Sequence, residues 1–343
     1  MRQSARRENG MAVISALLVV AAAAVIASSM LASQTTQVRT LESERARVQA
    51  RWLLSGGVDW ARNILRSDAR RNATTRGDQI WATPISDLRI SPEGDEQEAI
   101  FSGRIDDEQG KFNLQNLARQ GQVQPEDVAK FKRLLQSLSI PVQSVPALAL
   151  RVAMGQARAP AKSGNASSDS GAPNSGDGSA SSGSEASPPD TNKPNGAGNT
   201  APAGTALAPG LRSVDDLRAF NFDEDALLRL RAYVTVLPAR TAVNMNTASA
   251  EVLSAVIESL SLAQAREVSD QRDRGQYFNN QADFKNRLAD PTIDIPDGAL
   301  TANSQWFSVN GTVRVEQANV DMRALLHREA QATPTIVWMM EAN

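Results

Sequence analysis

The chain has 343 residues, 41% of them hydrophobic and 4% aromatic, with a formal net charge of −2; the length points to two domains and the charge balance argues against a broadly basic nucleic-acid binder. There is no cysteine and one histidine, His327, which excludes disulfides, thiol chemistry and any zinc site built on Cys or paired His. A Ser-His-Asp enzyme would have to use His327, and no Gly-x-Ser-x-Gly elbow supports one.

The N-terminal segment comes first in the chain. Arg2, Arg6 and Arg7 precede an uncharged apolar run at residues 11–32. As a helix that run spans about 33 Å, enough to cross a bilayer core. The arginines hold the N-terminus in the cytoplasm, so the rest is exported. Residues 22–24 and 25–27 have the form of a signal-peptidase site. Helical periodicity nevertheless continues past Ala32, through Val38, Leu41, Arg45, Val48 and Trp52. No Pro or Gly occurs at 11–55. Gly56 and Gly57 are positions where the helix could loosen; Val58, Trp60, Ile64 and Leu65 then resume it. The pattern predicts one helix of about 50 residues, or about 75 Å. Its first part, 11–32, is in lipid. Its second part, 33–70, is amphipathic and lies on a soluble domain.

This arrangement resembles the class III leader and N-terminal helix of type IV pilins and pseudopilins. The resemblance implies a leader, residues 1–10, removed by a membrane prepilin peptidase between Gly10 and Met11, with methylation of the new terminus. A plain signal anchor is the competing reading. Most members carry Glu at the fifth mature position, where a carboxylate in lipid needs a partner; here that position is Ser15. The departure narrows the resemblance to the K-type minor pseudopilin of type II secretion, which lacks this Glu and sits at the tip. The implied partners are other minor pseudopilins (I-, J- and H-type), the prepilin peptidase, an inner-membrane assembly platform and the lipid bilayer around 11–32. The implied assembly residues are Ser15, Val38, Leu41, Val48 and Trp52. The implied location is the inner membrane, crossed once, with the N-terminus cytoplasmic and the bulk periplasmic.

Residues 71–110 read as the first part of an α/β head. Ile80-Trp81, 86–90 and 98–105 are short strand-like segments between turn signals at Pro84, Pro92 and Gly94. Residues 111–300 read as an inserted helical domain. One helix starts at Pro125 and carries Val128, Phe131, Leu134, Leu135 and Leu138 on one face. A short one starts near Ser213, and another runs over 223–237 with Leu227, Leu228, Leu230 and Val234. Within this insert, residues 161–206 contain no large apolar side chain, so 156–210 is expected to be a disordered loop. Residues 301–343 are the second part of the head. Phe307, Val309, Val313 and Val315 alternate as a strand, with a bulge or kink expected at Gly311. Residues 319–330 suit a strand or a helix, with propensity leaning to helix. Residues 334–340 read as a buried strand. The fold class is therefore α+β: a pilin-like long helix and small antiparallel sheet, with an inserted all-α, SAM-like domain.

Two internal segments resemble the K-type family. The first is Gly103-Arg-Ile-Asp-Asp-Glu-Gln-Gly-Lys-Phe-Asn-Leu-Gln-Asn-Leu117. In it Gly110 supplies a turn, Phe112, Leu114 and Leu117 are anchors, and Asn113 or Asn116 can cap. Members of the family can bind calcium, so Asp106, Asp107 and Glu108 leave calcium open; a solvated turn is the stronger reading. The second is Val243-Asn-Met-Asn-Thr, containing Asn244, Asn246 and Thr247. Here Asn246 or Thr247 can cap the following helix, and Phe278 and Phe284 anchor a small core. This stretch also resembles helix-hairpin-helix DNA-binding modules, which hold a phosphate on a Gly-x-Gly hairpin. The hairpin here, at 258–262, has no glycine, and residues 243–288 hold five basic against six acidic side chains. The segment reads as a structural module with no nucleic-acid partner; a membrane-anchored helix-hairpin-helix DNA-binding or DNA-uptake protein is the alternative. The usual acidic and aromatic stretch of the family is missing after Ser137. The function implied is assembly: the chain starts or caps the tip of a periplasmic pseudopilus, with no catalysis and no required cofactor.

Overall fold

The computed structural model describes residues 5–90, 98–156, 206, 208–315 and 318–342. In chain order it contains a helix α1 (Ala5–Arg71), strands β1 (Ile85–Ile90) and β2 (Ala99–Asp107), and short strands β3 (Phe112–Asn113), β4 (Ala118–Arg119) and β5 (Gln122–Val123). Helices α2 (Pro125–Ser137), α3 (Val145–Met154) and α4 (Glu224–Leu230) follow, then short strands β6 (Val234–Thr235) and β7 (Val243–Asn244). Helices α5 (Ala250–Val256), α6 (Leu262–Asp273) and α7 (Gln281–Asn286) precede the short strand β8 (Leu300–Thr301). The chain ends in β9 (Trp306–Val315), β10 (Ala318–His327) and β11 (Thr335–Ala342).

Helix α1 is longer than the sequence pattern predicts, at 67 residues, or about 100 Å. It contains the one span among the described residues that is long and apolar enough to cross a membrane, with a most-apolar window of mean hydropathy 2.4. The hydroxyls of Ser29, Thr36 and Thr40 donate back to the carbonyls of Ile26, Ala32 and Thr36. Such back-bonding satisfies a hydroxyl without water.

The C-terminal half of α1 lies on a five-stranded antiparallel sheet ordered β1-β2-β9-β10-β11. Ala46, Ala50 and Leu54 pack with Phe101, Val313, Val315 and Val320. Val58, Ala61 and Leu65 continue the row against Trp81, Ile105, Phe307, Val309 and Leu326. Spacings of three and four put these six residues on one helix face. Fully burying each Leu or Val contributes about 1.5–3 kcal/mol.

This buried row is not the one the periodicity selects. Val38, Leu41, Val48 and Trp52 are 53%, 70%, 47% and 74% exposed and turn away from the sheet. Close approach is the reason. A Cβ on Gly57 would stand 2.7 Å from the Phe101 ring, and one on Gly311 would stand 3.0 Å from Leu54. Alanine and glycine, rather than the bulkiest residues, let helix and sheet meet. The same contacts correct two expectations. Gly56 and Gly57 leave α1 unbroken, and Gly311 sits in regular register opposite Gly103 and Met322. The irregularities of the sheet lie between Ile85 and Leu88 and between Leu325 and Leu326 instead.

Other local readings also change. Ile80–Ala82 is a 3-10 turn, because Trp81 turns inward onto Phe307 at 5.3 Å, edge to face. Residues 318–327 are strand β10, with Val320, Ala324, Leu325 and Leu326 buried between two neighbouring strands; that pairing overrides the local helical lean. Strand β11 exists but is an exposed edge rather than a buried strand. Helix α4 stops at Leu230, Leu228 faces solvent, and Val234 belongs to β6. Helix α3 goes unread in the sequence; Val145, Leu148, Ala149 and Val152 form its buried face, and a proline stands in its first turn.

The chain forms two compact units, residues 113–240 and the remainder. The predicted insert of 111–300 is thus divided: α5, α6 and α7 fall in the same unit as the sheet. In the unit 113–240, Leu114, Leu117, Phe131, Leu134, Leu148, Leu217 and Leu227 are fully buried. Most of the predicted loop 156–210 lies outside the described residues. Its described ends are fixed: Gln156 donates to the Gln115 and Ala118 carbonyls, and the Ala208 amide donates to the Met154 carbonyl.

Candidate functional site

The two family-like segments meet at one carboxylate. Asp107 ends β2, and its Oδ2 accepts from Thr247 Oγ1 at 2.6 Å, Ser304 Oγ at 2.6 Å and Asn244 Nδ2 at 2.9 Å. Its Oδ1 caps the following 3-10 turn by accepting from the Gln109 amide at 2.9 Å. Burial pushes the Asp107 carboxyl above its ordinary value, and the four hydrogen bonds pull it back. Asn244 also donates to the Thr75 carbonyl and to Ser304 Oγ. Gly110 is needed beside it: a Cβ there would stand 2.9 Å from Thr247 Oγ1 and 3.0 Å from the Thr247 carbonyl oxygen.

Arg328 extends this polar knot to the end of α1. Its guanidinium donates to Asp68, the Leu65 carbonyl, Thr75 Oγ1 and the Ser304 carbonyl, and lies 4.7 Å over the Phe307 ring. Burial lowers its pKa while Asp68 opposes that. Arg328 and Asp68 are both nearly inaccessible, so removing either strands a buried charge. The sequence reading missed Arg328, Thr75 and Ser304. No local pattern marks them, since they come from three separate parts of the chain.

Asn246 does not cap α5; Ser249 does, accepting from the Val252 amide. Asn246 instead forms a two-way bond with the backbone of Phe278, donating at 2.8 Å and accepting at 2.9 Å. That places Phe278 edge-on to Phe284, with centroids 4.9 Å apart. Thr247 goes to Asp107 rather than to a helix end. The hairpin before α6 is closed by a capping box in which Ser261 accepts from the Gln264 amide and Gln264 accepts from the Ser261 amide. The chain's own side chains thus occupy the end of α6 where a phosphate would sit in a DNA-binding hairpin.

In the unit 113–240, Asn113 caps the turn Leu114–Leu117, accepting from the Gln115 amide. It also accepts from the Leu237 amide and donates to the Ala239 carbonyl. Asn116 offers its carbonyl to Arg240, which also pairs with Asp127 at 2.8 Å. Entry and exit of the unit are thereby held together.

The acidic run is not a solvated turn. Glu108 is 1% exposed and accepts from Lys111 Nζ and Ser308 Oγ. Asp106 is taken by Arg104 and Asn310. The three carboxylates serve separate donors, and among the described residues no three His, Cys, Asp or Glu gather as a metal site. The set does not fit calcium, which needs six to eight converging oxygens. His327 stacks on Trp306 at 4.3 Å.

Along α1, Gly10 and Met11 lie inside the helix, and Ser15 lies in its exposed apolar part. Val38, Leu41, Val48 and Trp52 present apolar side chains outward over the stretch that follows. The four side chains form an exposed apolar row on the helix face away from the sheet. The row offers a surface that can bind by packing.

Family models described as "Type II secretion system (T2SS), protein K" match residues 110–239 and 243–310. Their junction coincides with the division between compact units at Arg240 and Thr241. The type II secretion system protein K of Pseudomonas aeruginosa is 27% identical over 310 residues, covering 89% of this chain and 84% of its own. The protein K of Pectobacterium carotovorum subsp. carotovorum is 26% identical over 345 residues, covering 96% and 95%. A chain in the crystal structure of the GspK–GspI–GspJ complex from the enterotoxigenic Escherichia coli type 2 secretion system superposes with a TM-score of 0.59 at 16% identity, over 88% of this chain and 99% of that one. That likeness is one of fold.

Proposed function

The chain belongs to the type II secretion system protein K family and is a minor pseudopilin of that system, and from this we propose that it starts or caps the tip of the periplasmic pseudopilus. In this reading the peptidase cuts between Gly10 and Met11 and the terminus is methylated. The helix waits in the inner membrane with its N-terminus cytoplasmic and the remaining bulk periplasmic. It then packs, through Val38, Leu41, Val48 and Trp52, against the helices of I- and J-type pseudopilins, with the H-type subunit and the assembly platform as further contacts.

The observation that carries this is the outward apolar row on α1. A helix already seated on its own sheet has no internal use for Trp52 at 74% exposure. Ser15 supports the tip position, because a subunit without Glu there makes no carboxylate contact with a subunit above it. The solved GspK complex contains I- and J-type chains, which gives the first partners to test. No cofactor is required for a mechanism of packing and position.

Mass spectrometry of the chain, expressed with and without prepilin peptidase, tests the reading. A methylated Met11 produced only with the peptidase supports it. An intact Met1, or a start near residues 24–28, overturns it. Co-purification with I- and J-type pseudopilins tests the partners.

A further inference from the structure

Strand β11 ends the sheet, and among the described residues no strand pairs with its outer edge. A bulge at Val337 puts Leu326 opposite Ile336 and Leu325 opposite Trp338; beyond it, Trp338 to Ala342 pair regularly with β10. The strand contains no Pro, Lys or Arg. Ile336, Val337, Met339 and Met340 are 40–54% exposed. The opposite edge is blunted: β1 has a register break, Asp87 in a left-handed conformation at φ 51, and an Arg89–Glu98 ion pair. Proteins ordinarily protect both edges by such devices, because a flat apolar edge invites another strand.

Position and chemistry narrow the occupant. Glu341 pairs with Arg51 of α1 at 2.9 Å. Arg51 lies about 28 Å along the helix past Ala32, well beyond the polar layer of about 5–8 Å outside a bilayer core. Lipid therefore does not cover this edge. A helix laid on β11 would cover side chains but leave the free N–H and C=O groups unpaired, whereas a strand pairs them. The one charge on β11 is already neutralised by Arg51, so the edge selects an uncharged apolar segment. Trp52, the residue after Arg51, lies about 100° further round α1 in its exposed apolar row, so the edge and that row border adjoining sides of the helix.

We infer that β11 accepts a sixth strand: an extended, uncharged, apolar segment donated by the same pilin-like neighbour that packs on the Trp52 face of α1. The inference rests on the assembly reading above. It adds a backbone-bonded contact, which fixes register and direction, to the helix contact.

Hydrogen–deuterium exchange on the full chain in detergent, alone and co-purified with I- and J-type pseudopilins, tests it. In the complex, alternate amides of residues 338–342 slow by about tenfold or more, as newly bonded edge amides should. The double variant Met339→Lys, Met340→Lys lowers partner recovery by about tenfold with unchanged thermal unfolding, since both side chains are exposed and lysine guards an edge. A stable complex with unchanged exchange at 338–342 overturns the inference and leaves the assembly reading standing. Absence of any complex overturns both. Slowed exchange in the chain alone at raised concentration assigns the edge to a second copy, and slowing on adding lipid vesicles alone assigns it to the membrane; either result overturns the inference.

Discussion

Asn244 donates its side-chain amide to the Asp107 carboxylate at 2.9 Å, across 137 positions of sequence. The unit 113–240 is inserted between these two residues. The bond therefore closes the sheet-containing unit at the place where the chain leaves it and returns. Thr247, Ser304 and Thr75 complete the closure.

The charge on Asp107 makes that closure sensitive to pH. Burial raises the carboxyl above 3.8, its ordinary value. A raised carboxyl contributes stability that is full below the unfolded value and is lost as pH rises through the folded one. The unfolding free energy of Asp107→Asn minus that of the natural chain should therefore increase from about pH 4 to about pH 7. Paired denaturant titrations check the sign. A difference that falls with pH would mean that the four donors outweigh burial.

Asn246→Ala removes both bonds to the Phe278 backbone and leaves a buried N–H and C=O unpaired. The expected loss is about 2–4 kcal/mol. Near-ultraviolet circular dichroism should report loosening of the Phe278–Phe284 pair. A variant as stable as the natural chain would contradict the assigned role.

Neighbouring glycines in α1 should respond with opposite signs. Nothing lies within 4 Å of a Cβ on Gly56, so Gly56→Ala should stabilise by about 0.5–1 kcal/mol through helix propensity. Gly57→Ala drives a methyl into the Phe101 ring and should cost about 1–3 kcal/mol. Thermal unfolding of the two variants side by side reads the difference. Equal shifts would mean that the helix does not meet the sheet at Gly57.

Trp52→Ala should leave thermal unfolding unchanged, because the side chain is exposed, yet weaken partner binding by about 2 kcal/mol or more. Leu54→Ala should do the reverse and lose about 2–5 kcal/mol of stability. Titration calorimetry and thermal melts on both variants separate the outer face of α1 from its inner face.

Gly155→Ala is expected to destabilise the unit 113–240. Its Cβ would stand 2.7 Å from the Gly210 Cα, a backbone atom that cannot rotate away. Both residues flank the apolar-poor segment, so its ends need each other even though its composition supplies no core. A cost of about 1–3 kcal/mol is expected, read by urea titration.

The sequence by itself determined the long helix and its apolar span, because an uncharged apolar run of this length with no Pro or Gly in it favours one continuous helix. It determined the helix at Pro125, the strand at Phe307 to Val315 and the absence of thiol chemistry, all of which depend on local pattern or composition. It also located the two family-like segments, although not that they touch. Only the tertiary structure decided which face of α1 meets the sheet. Hydropathy favours Leu41 and Trp52, but a helix lying close on a sheet selects Ala46, Ala50 and Ala61, whose small side chains permit the approach. It decided that residues 318–327 form a strand, since two neighbouring strands outweigh a local lean. And it decided the role of Asp107, because a carboxylate whose donors come from Asn244, Thr247 and Ser304 has no signature in its own neighbourhood.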